Sequence, residues 1–504
     1  MSAKVYTCGV AGLTALPIEV EADVSSQLPG MFIVGLPDKA VEEARERVRA
    51  ALKNSECEFP RTKVTINLAP ADVKKEGSGY DLPIALALLL ATGQLDNKFD
   101  WSTSLFLGEL SLEGKLRAIP GILVAARAAK RLGFNKIFVP KSNAAEAALV
   151  PDVEVYAPDS LTTLLNHLSG RELLTVEVPT PISDFDNSAS EADLAHIYGQ
   201  EQAKRALEIA AAGGHNVLFY GPPGSGKTLL AKSLVSILPS LSRPEVLEVT
   251  EIYSVAGLLT LSKPLIKERP FRSPHHTASE VSLVGGGSNP RPGEISLAHR
   301  GVLFLDELAE FSRKVLESLR QPLEEGVIVV ARAAGTLQFP ARFILIGAMN
   351  PCPCGFAGDP VKQCTCTPGL VYRYQRKLSG PLLDRFDLHV SVPRLPFEKL
   401  TGAPSENSAV VRERILKVRS VQAERFGSIK LNANMSAQDL KTQVVLPTSA
   451  VEILRQAVNK FHLSARVYHR LLKISRTIAD LAGSEKVESI HVAESLQYRP
   501  KEMR

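Results

Sequence analysis

The sequence predicts an α/β core with a mostly helical C-terminal segment behind it and a separate domain of mixed helices and strands ahead of it. Three observations predict this. Gly221-Pro222-Pro223-Gly224-Ser225-Gly226-Lys227-Thr228 has the G-x-x-x-x-G-K-[ST] spacing, between an apolar strand-like run (216–220) and a helix-like run (229–234). A second apolar run, 301–305, ends in the acidic pair Asp306-Glu307. Residues 171–192 lose hydrophobic periodicity and carry proline, serine and acidic residues, so they read as a linker.

The elements follow in order. Residues 18–24 and 31–34 read as strands and 40–53 as a charged amphipathic helix. Residues 63–68 alternate as a strand, 82–91 form a buried helix and 104–107 start another strand. Residues 124–132 are helical, and 136–139 make a strand entering Pro140. Residues 1–170 therefore make an α/β or α+β domain of their own, residues 193–395 alternate strand and helix around the glycine loop, and 396–504 are mostly helical. In the last part Val467, Leu471, Ile474, Ile478 and Leu481 share one face of a helix that ends at Gly483.

The loop's residue types suit triphosphate oxygens, which need many donors at close range. Glycines let backbone N–H groups approach, and a helix start adds positive potential. Lys227 would reach the β- and γ-phosphates, the Thr228 hydroxyl and Asp306 would hold Mg2+, and Glu307 would polarise the attacking water as general base. The cofactors expected are thus ATP and Mg2+.

Bulk properties bound the rest. A chain of 504 residues exceeds one ordinary core, and two to four domains are expected. Hydrophobic content of 45% and charged content of 22% are globular values. A net charge of +5 permits nucleic-acid binding without arguing for it. No apolar run is long enough for a membrane span, and the N-terminus lacks the pattern of a signal peptide, so a cytoplasmic protein is expected.

The core resembles AAA+ ATPases, and within them the magnesium-chelatase-like YifB/ComM family. The resemblance covers nearly the whole chain and rests on Arg272-Ser273-Pro274-His275-His276-Thr277, Gly285-Gly286-Gly287, the segment from Arg291 to His299, Met349-Asn350-Pro351-Cys352-Pro353-Cys354-Gly355, and Gly380-Pro381-Leu382-Leu383-Asp384-Arg385-Phe386-Asp387. It implies a P-loop AAA+ core over 193–395 and a helical lid over 396–504. It also implies Asn350 as the sensor-1 residue beside Glu307, Arg385 as an arginine finger reaching a neighbouring subunit, and Arg466 as sensor 2. A finger acting in trans implies a ring, a homo-hexamer. Residues 327–339 look like the β-hairpin that related motors carry into a central pore, with Arg332 either a DNA-backbone contact or a solvated strand residue. His275 and His276 take a structural role in this reading.

Cys352, Cys354, Cys364 and Cys366 form a C-x-C…C-x-C set inside the loop 352–366. Four thiolates at this spacing suit one tetrahedral Zn2+, with paired disulfides, free thiols and an iron–sulfur cluster as alternatives. Immediately after come Tyr372-Arg373-Tyr374-Gln375-Arg376-Lys377, whose interleaved rings and bases suit single-stranded nucleic acid or a subunit interface. Cys8 and Cys57 stand alone.

Residues 1–170 resemble the Lon protease domain, of the ribosomal-S5-domain-2-like class, through Lys75-Glu76-Gly77, the run 82–87, Gly108-Glu109-Leu110-Ser111-Leu112-Glu113-Gly114-Lys115-Leu116 and Pro120-Gly121. Lon-type proteolysis needs a serine activated by a lysine. The aligned positions hold Asp81 and Leu123, and Ser78 lies in a glycine-flanked loop, so the dyad is absent. The resemblance as a whole implies an ATP-driven ring motor on DNA, of the branch-migration helicase type. A chelatase subunit that inserts Mg2+ into a porphyrin and an ATP-dependent protease are the rival readings.

Overall fold

A computed structural model describes residues 3–96, 99–181, 192–287, 290–332, 335–359, 361–396 and 406–500. The N-terminal part is built on a seven-stranded mixed sheet in the order Gly30–Val34, Lys63–Ala69, Thr14–Ser25, Ala3–Ala11, Ser104–Phe106, Lys136–Phe138, Glu154–Tyr156. The first strand, Ala3–Ala11, was not expected. It pairs antiparallel with Thr14–Ser25 in a register that sets Val5 opposite Val20. Alternation explains the pairing: Val5, Ile18, Val20 and Ile66 point into one core with the helix Asp81–Ala91, whose sides are buried all round. The expected helix 40–53 is two pieces, Lys39–Glu42 and Ala44–Asn54, meeting at Glu43. Asp38 caps the first of them, accepting from Val41 N at 2.8 Å.

The second part carries a five-stranded parallel sheet in the order Phe271–Arg272, Val302–Leu305, Ile344–Met349, Val217–Tyr220, Leu388–Ser391. Strands buried on both faces read as continuous apolar runs, as Val302–Leu305 and Ile344–Met349 do. The helices Glu201–Gly213 and Lys227–Ile237 cover one side. The expected hairpin is present as Val327–Arg332 paired with Gly335–Pro340. The stretch 171–181 has neither helix nor strand, yet it is tied down by Glu177 N to Val155 O at 2.8 Å and Thr180 N to Ala148 O at 2.9 Å. Of the rest of the expected linker, 182–191 lie outside the described residues and Ala192 is buried.

The C-terminal segment is helical: Ser408–Phe426, Ala437–Gln443, Thr448–Phe461, Ala465–Leu481 and Ser489–Ser495. Val411, Ile415, Ile474 and Ile478 pack into the same core as the parallel sheet. Between the N-terminal part and this core, Leu123 and Leu149 bury against Leu241, Val246, Val249 and Leu265. Glu146 closes that joint, accepting from Leu123 N at 2.9 Å and from the Ser254 hydroxyl, and Arg127 pairs with Glu251 at 2.5 Å.

Candidate functional site

The parallel sheet delivers its carboxyl ends to one crevice, the place where open α/β sheets hold ligands. Gly221 follows Val217–Tyr220, Asp306 follows Val302–Leu305, and Asn350 follows Ile344–Met349. At Gly221 a side chain would meet the Val392 carbonyl oxygen at 2.1 Å, so the loop runs hard against the neighbouring strand's exit. Pro222 and Pro223 turn the chain, and Gly224 and Gly226 take φ of +76 and +90, with open space where a Cβ would stand. The helix Lys227–Ile237 then starts with no side-chain cap, which leaves first-turn N–H groups facing the loop. Ser225 Oγ is buried without a partner. An uncapped helix start, an open glycine cradle and an orphaned hydroxyl fit a bound phosphate.

Lys227 is folded back into the loop. Its Nζ donates to Gly221 O at 2.8 Å, Pro222 O at 2.9 Å and Asn350 Oδ1 at 3.2 Å. Burial lowers its pKa from the ordinary lysine value, with Asp306 opposing. Thr228 Oγ1 donates to Asp306 Oδ2 at 2.9 Å, so the hydroxyl and carboxylate expected to hold Mg2+ already share one spot. Oxygen donors in this arrangement suit that hard cation. Asp306 Oδ1 accepts from Glu307 N at 2.9 Å, which leaves the Glu307 side chain half exposed over the crevice.

The structure adds one residue to this group. His276 Nδ1 lies 3.2 Å from Glu307 Oε2, while His275 bonds Thr277 Oγ1 at 2.8 Å. The sequence reading gave both histidines a bracing role only. The signal lay in strand order: His276 stands four residues past the edge strand Phe271–Arg272, which pairs with Val302–Leu305, so its loop and Glu307 leave the sheet side by side.

Arg385 and Arg466 are placed elsewhere. Arg385 pairs with Glu324, rather than with Asp384 or Asp387, and Arg466 lies 3.9 Å from Asp384 with its side chain mostly in solvent. Burial lowers the Arg385 pKa, and Arg466, Arg320 and Arg470 add to that. Among the described residues no hydrogen bond or ion pair joins either arginine to Lys227, Thr228, Asp306 or Glu307. Arg470, one turn beyond Arg466, was not anticipated: it is buried and reaches Asp387 at 3.4 Å and the Asp384 carbonyl. The Arg332 side chain lies outside the described residues.

The four cysteines meet. Sγ separations are 3.3 Å for Cys352–Cys354, 3.7 Å for Cys352–Cys364 and 3.5 Å for Cys354–Cys364, and all four sulfurs lie within 4.8 Å of one another. The set is compatible with a zinc site. Of the aromatic and basic run that follows, Tyr374 is buried and Tyr372 faces solvent, with the Arg376 guanidinium 5.3 Å from its ring centre.

Three family profiles match the chain: "Subunit ChlI of Mg-chelatase" over 20–143, "Magnesium chelatase, subunit ChlI" over 193–400 and "Magnesium chelatase, subunit ChlI C-terminal" over 405–499. Competence protein ComM of Haemophilus influenzae is 46% identical over 506 residues, covering 99% of this chain and 97% of that protein. The chain belongs to the YifB/ComM family of magnesium-chelatase-like AAA+ proteins. YifB of Salmonella typhimurium is 45% identical over 500 residues, 99% of this chain and 97% of its own. The magnesium-chelatase 38 kDa subunit of Cereibacter sphaeroides is 28% identical over 214 residues, 39% of this chain and 57% of its own. The likeness to ComM and YifB thus spans the N-terminal part as well, whereas the chelatase subunit matches a limited stretch. No helix among the described residues is long and apolar enough to cross a membrane.

The positions that the Lon resemblance would give to a serine and a lysine hold Asp81 and Leu123. Asp81 is buried and accepts from Arg47 Nε at 2.7 Å, Arg47 Nη2 at 2.9 Å and Leu110 N at 3.1 Å. Leu123 is buried in the joint described above. Ser78 donates to Glu109 rather than to an amine.

Proposed function

We propose that this chain hydrolyses ATP with Mg2+ and couples the hydrolysis to movement of DNA, as a homo-hexameric ring of the branch-migration helicase type. In this reading residues 1–170 are a Lon-like domain without its dyad, 193–395 the AAA+ core and 396–504 its lid, with 171–192 linking the first two. The observation that carries it is the single crevice in which Lys227, Thr228, Asp306, Glu307, Asn350 and His276 converge.

The chain's own groups divide the work as follows. Backbone N–H groups of 224–228 surround the phosphates, and Lys227 turns from its carbonyl partners to the β/γ oxygens. Thr228 and Asp306 would hold Mg2+, which would supply charge neutralisation for the triphosphate. Glu307 takes the proton of the attacking water, with Asn350 fixing the water from the neighbouring strand exit. Among the described residues Arg385 pairs with Glu324 and with no group of the phosphate loop, in keeping with a finger that acts on the next subunit's nucleotide, and Arg466 serves as sensor 2. The DNA part draws on the relative named a competence protein and on the exposed Tyr372–Arg376 pair beside the core.

The test is ATPase activity with and without forked and branched DNA. Stimulation by branched DNA, with a salt-dependent affinity, is expected; DNA that neither binds nor stimulates sinks the motor reading. Glu307→Gln is expected to lower kcat by about 10²-fold or more while ATP binding persists. Normal turnover in that variant removes Glu307 from the role of base.

A further inference from the structure

The cysteine loop and the phosphate loop touch. From Asn350, whose Oδ1 is 3.2 Å from Lys227 Nζ, the chain passes through Pro351 directly into Cys352, which is fully buried. Gly355 closes the turn, donating its N–H to Cys352 O at 2.9 Å with φ of +86. That turn presses on the phosphate loop: a Cβ at Gly355 would stand 2.6 Å from Pro223 Cδ and 3.1 Å from its Cγ. The far side of the loop is anchored too. Asp359 pairs with Arg394 at 3.2 Å, and the Phe356 ring lies under the Arg394 guanidinium at 5.4 Å. Arg394 stands two residues after Val392, the residue whose carbonyl abuts Gly221. The cysteine loop therefore spans between the two strand exits that frame the phosphate loop.

The sulfur arrangement has the dimensions of a metal site. A tetrahedral Zn2+ with Zn–S arms of about 2.3 Å has S–S edges of about 3.8 Å. The measured separations of 3.3, 3.5 and 3.7 Å lie near that edge. They are far from the roughly 2.05 Å of a disulfide. Backbone donors already point at sulfur, Ala357 N at 3.3 Å from Cys352 Sγ and Cys366 N at 3.4 Å from Cys364 Sγ, as thiolate ligands require to offset their charge. An all-sulfur set selects Zn2+ over Mg2+ or Ca2+.

We propose that Cys352, Cys354, Cys364 and Cys366 hold one Zn2+, and that the metal-closed loop is the fixed wall against which Pro223 of the phosphate loop stands, so that metal occupancy sets nucleotide affinity. Binding displaces to solvent whatever protons the four cysteines still hold and forms four Zn–S bonds with no redox change. The coupling half rests on the nucleotide reading given above; the metal half does not.

The experiment uses the full-length chain. Elemental analysis is expected to find one Zn2+ per chain, and Co2+ substitution to give the absorption of tetrahedral thiolate coordination. A fluorescent ATP analogue with Mg2+ reads the other half. Cys364→Ser is expected to lose the metal and to raise the nucleotide Kd by about 10-fold or more. Gly355→Ala is expected to keep the metal and still weaken nucleotide binding, because its new methyl displaces Pro223. Cys57→Ser, away from the loop, is expected to change neither quantity. A parent without zinc, or with iron in its place, overturns the metal assignment. A folded, zinc-free Cys364→Ser with parental affinity overturns the coupling. Should that variant fail to fold, Gly355→Ala decides: retained zinc with parental affinity overturns the coupling as well. A parent that holds zinc and binds no nucleotide removes the nucleotide reading and the coupling together, and leaves the metal site standing.

Discussion

Glu307 has φ of 50 and ψ of 43, a left-handed conformation that a non-glycine residue holds only when its surroundings impose it. Two neighbours impose it here: the Asp306 carboxylate accepts its N–H, and His276 takes its side chain. The carboxylate that would act on water is therefore aimed by the backbone and steadied by the imidazole. His276→Ala leaves the phosphate loop untouched and frees that carboxylate. The expected outcome is a kcat lower by about 10-fold with ATP binding unchanged, checked by steady-state ATPase and nucleotide titration. The conservative variant His276→Asn, which keeps a hydrogen-bonding group, is expected to recover part of the loss. A His276→Ala enzyme of normal kcat would remove the positioning role.

At the scale of elements, what could be read in the sequence was whatever one short segment holds by itself. The phosphate loop, the acidic strand end and the four cysteines each carry their chemistry within a few residues. Asn350, Lys227, Thr228 and Asp306 consequently meet as their strands predict. The His276–Glu307 contact was not readable, because it depends on which strand lies beside Val302–Leu305, and the two-residue strand Phe271–Arg272 is too short to show periodicity. Arg385 likewise follows the four-residue helix Gly380–Leu383, whose direction decides that Glu324 and not its sequence neighbours becomes its partner. The strand Ala3–Ala11 was passed over although Val5 and Thr7 alternate inward against Lys4 and Tyr6.

The strand Leu388–Ser391 also makes a pH prediction. His389 on it is buried beside Arg470 and Asp387, and burial first, then Arg470, pulls its pKa from 6.5 down to about 4. The folded state thus stays neutral at this position where the unfolded chain takes up a proton. Its contribution is fully present above pH 6.5 and is lost as pH falls from there toward about 4. Urea unfolding of the parent between pH 7.5 and 5 is expected to show declining stability, and His389→Asn to flatten that decline whatever its absolute stability. An unchanged slope in the variant would assign the decline to other groups.

Across the whole molecule, among the described residues, the N-terminal part and the parallel-sheet core meet through Leu13 against the cluster that holds Phe339, through polar ties that include Glu146 to Ser254, Gly121 N to Ser254 O and Arg127 to Glu251, and through the apolar joint around Leu123. Glu146 sits inside it, its pKa raised by burial and held back by Ser254, Asn143 and Leu123 N. The helix Arg243–Ala256 that receives this joint also carries Glu248, which accepts from Arg300 at 2.9 Å behind the strand Val302–Leu305. A continuous set of contacts thereby runs from the N-terminal part to the residues just ahead of the acidic strand. Arg127→Ala is expected to cost about 1 kcal/mol, because the arginine end of that ion pair is half in water while its partner Glu251 is mostly buried. Ser254→Val is expected to cost more, about 1–3 kcal/mol, because it leaves a buried carboxylate short of a donor. Thermal unfolding of the two variants checks the order.

The same joint decides how the protein can be cut. Severing the chain between 182 and 191 to produce the half with the parallel sheet and the C-terminal helices by itself would strip Leu123 and Leu149 from Leu241, Val246, Val249 and Leu265 and leave a greasy scar on its flank. That half is for that reason not a portable module. Made alone, it should clump at concentrations where the intact chain stays dispersed, and light scattering of the two preparations would show it.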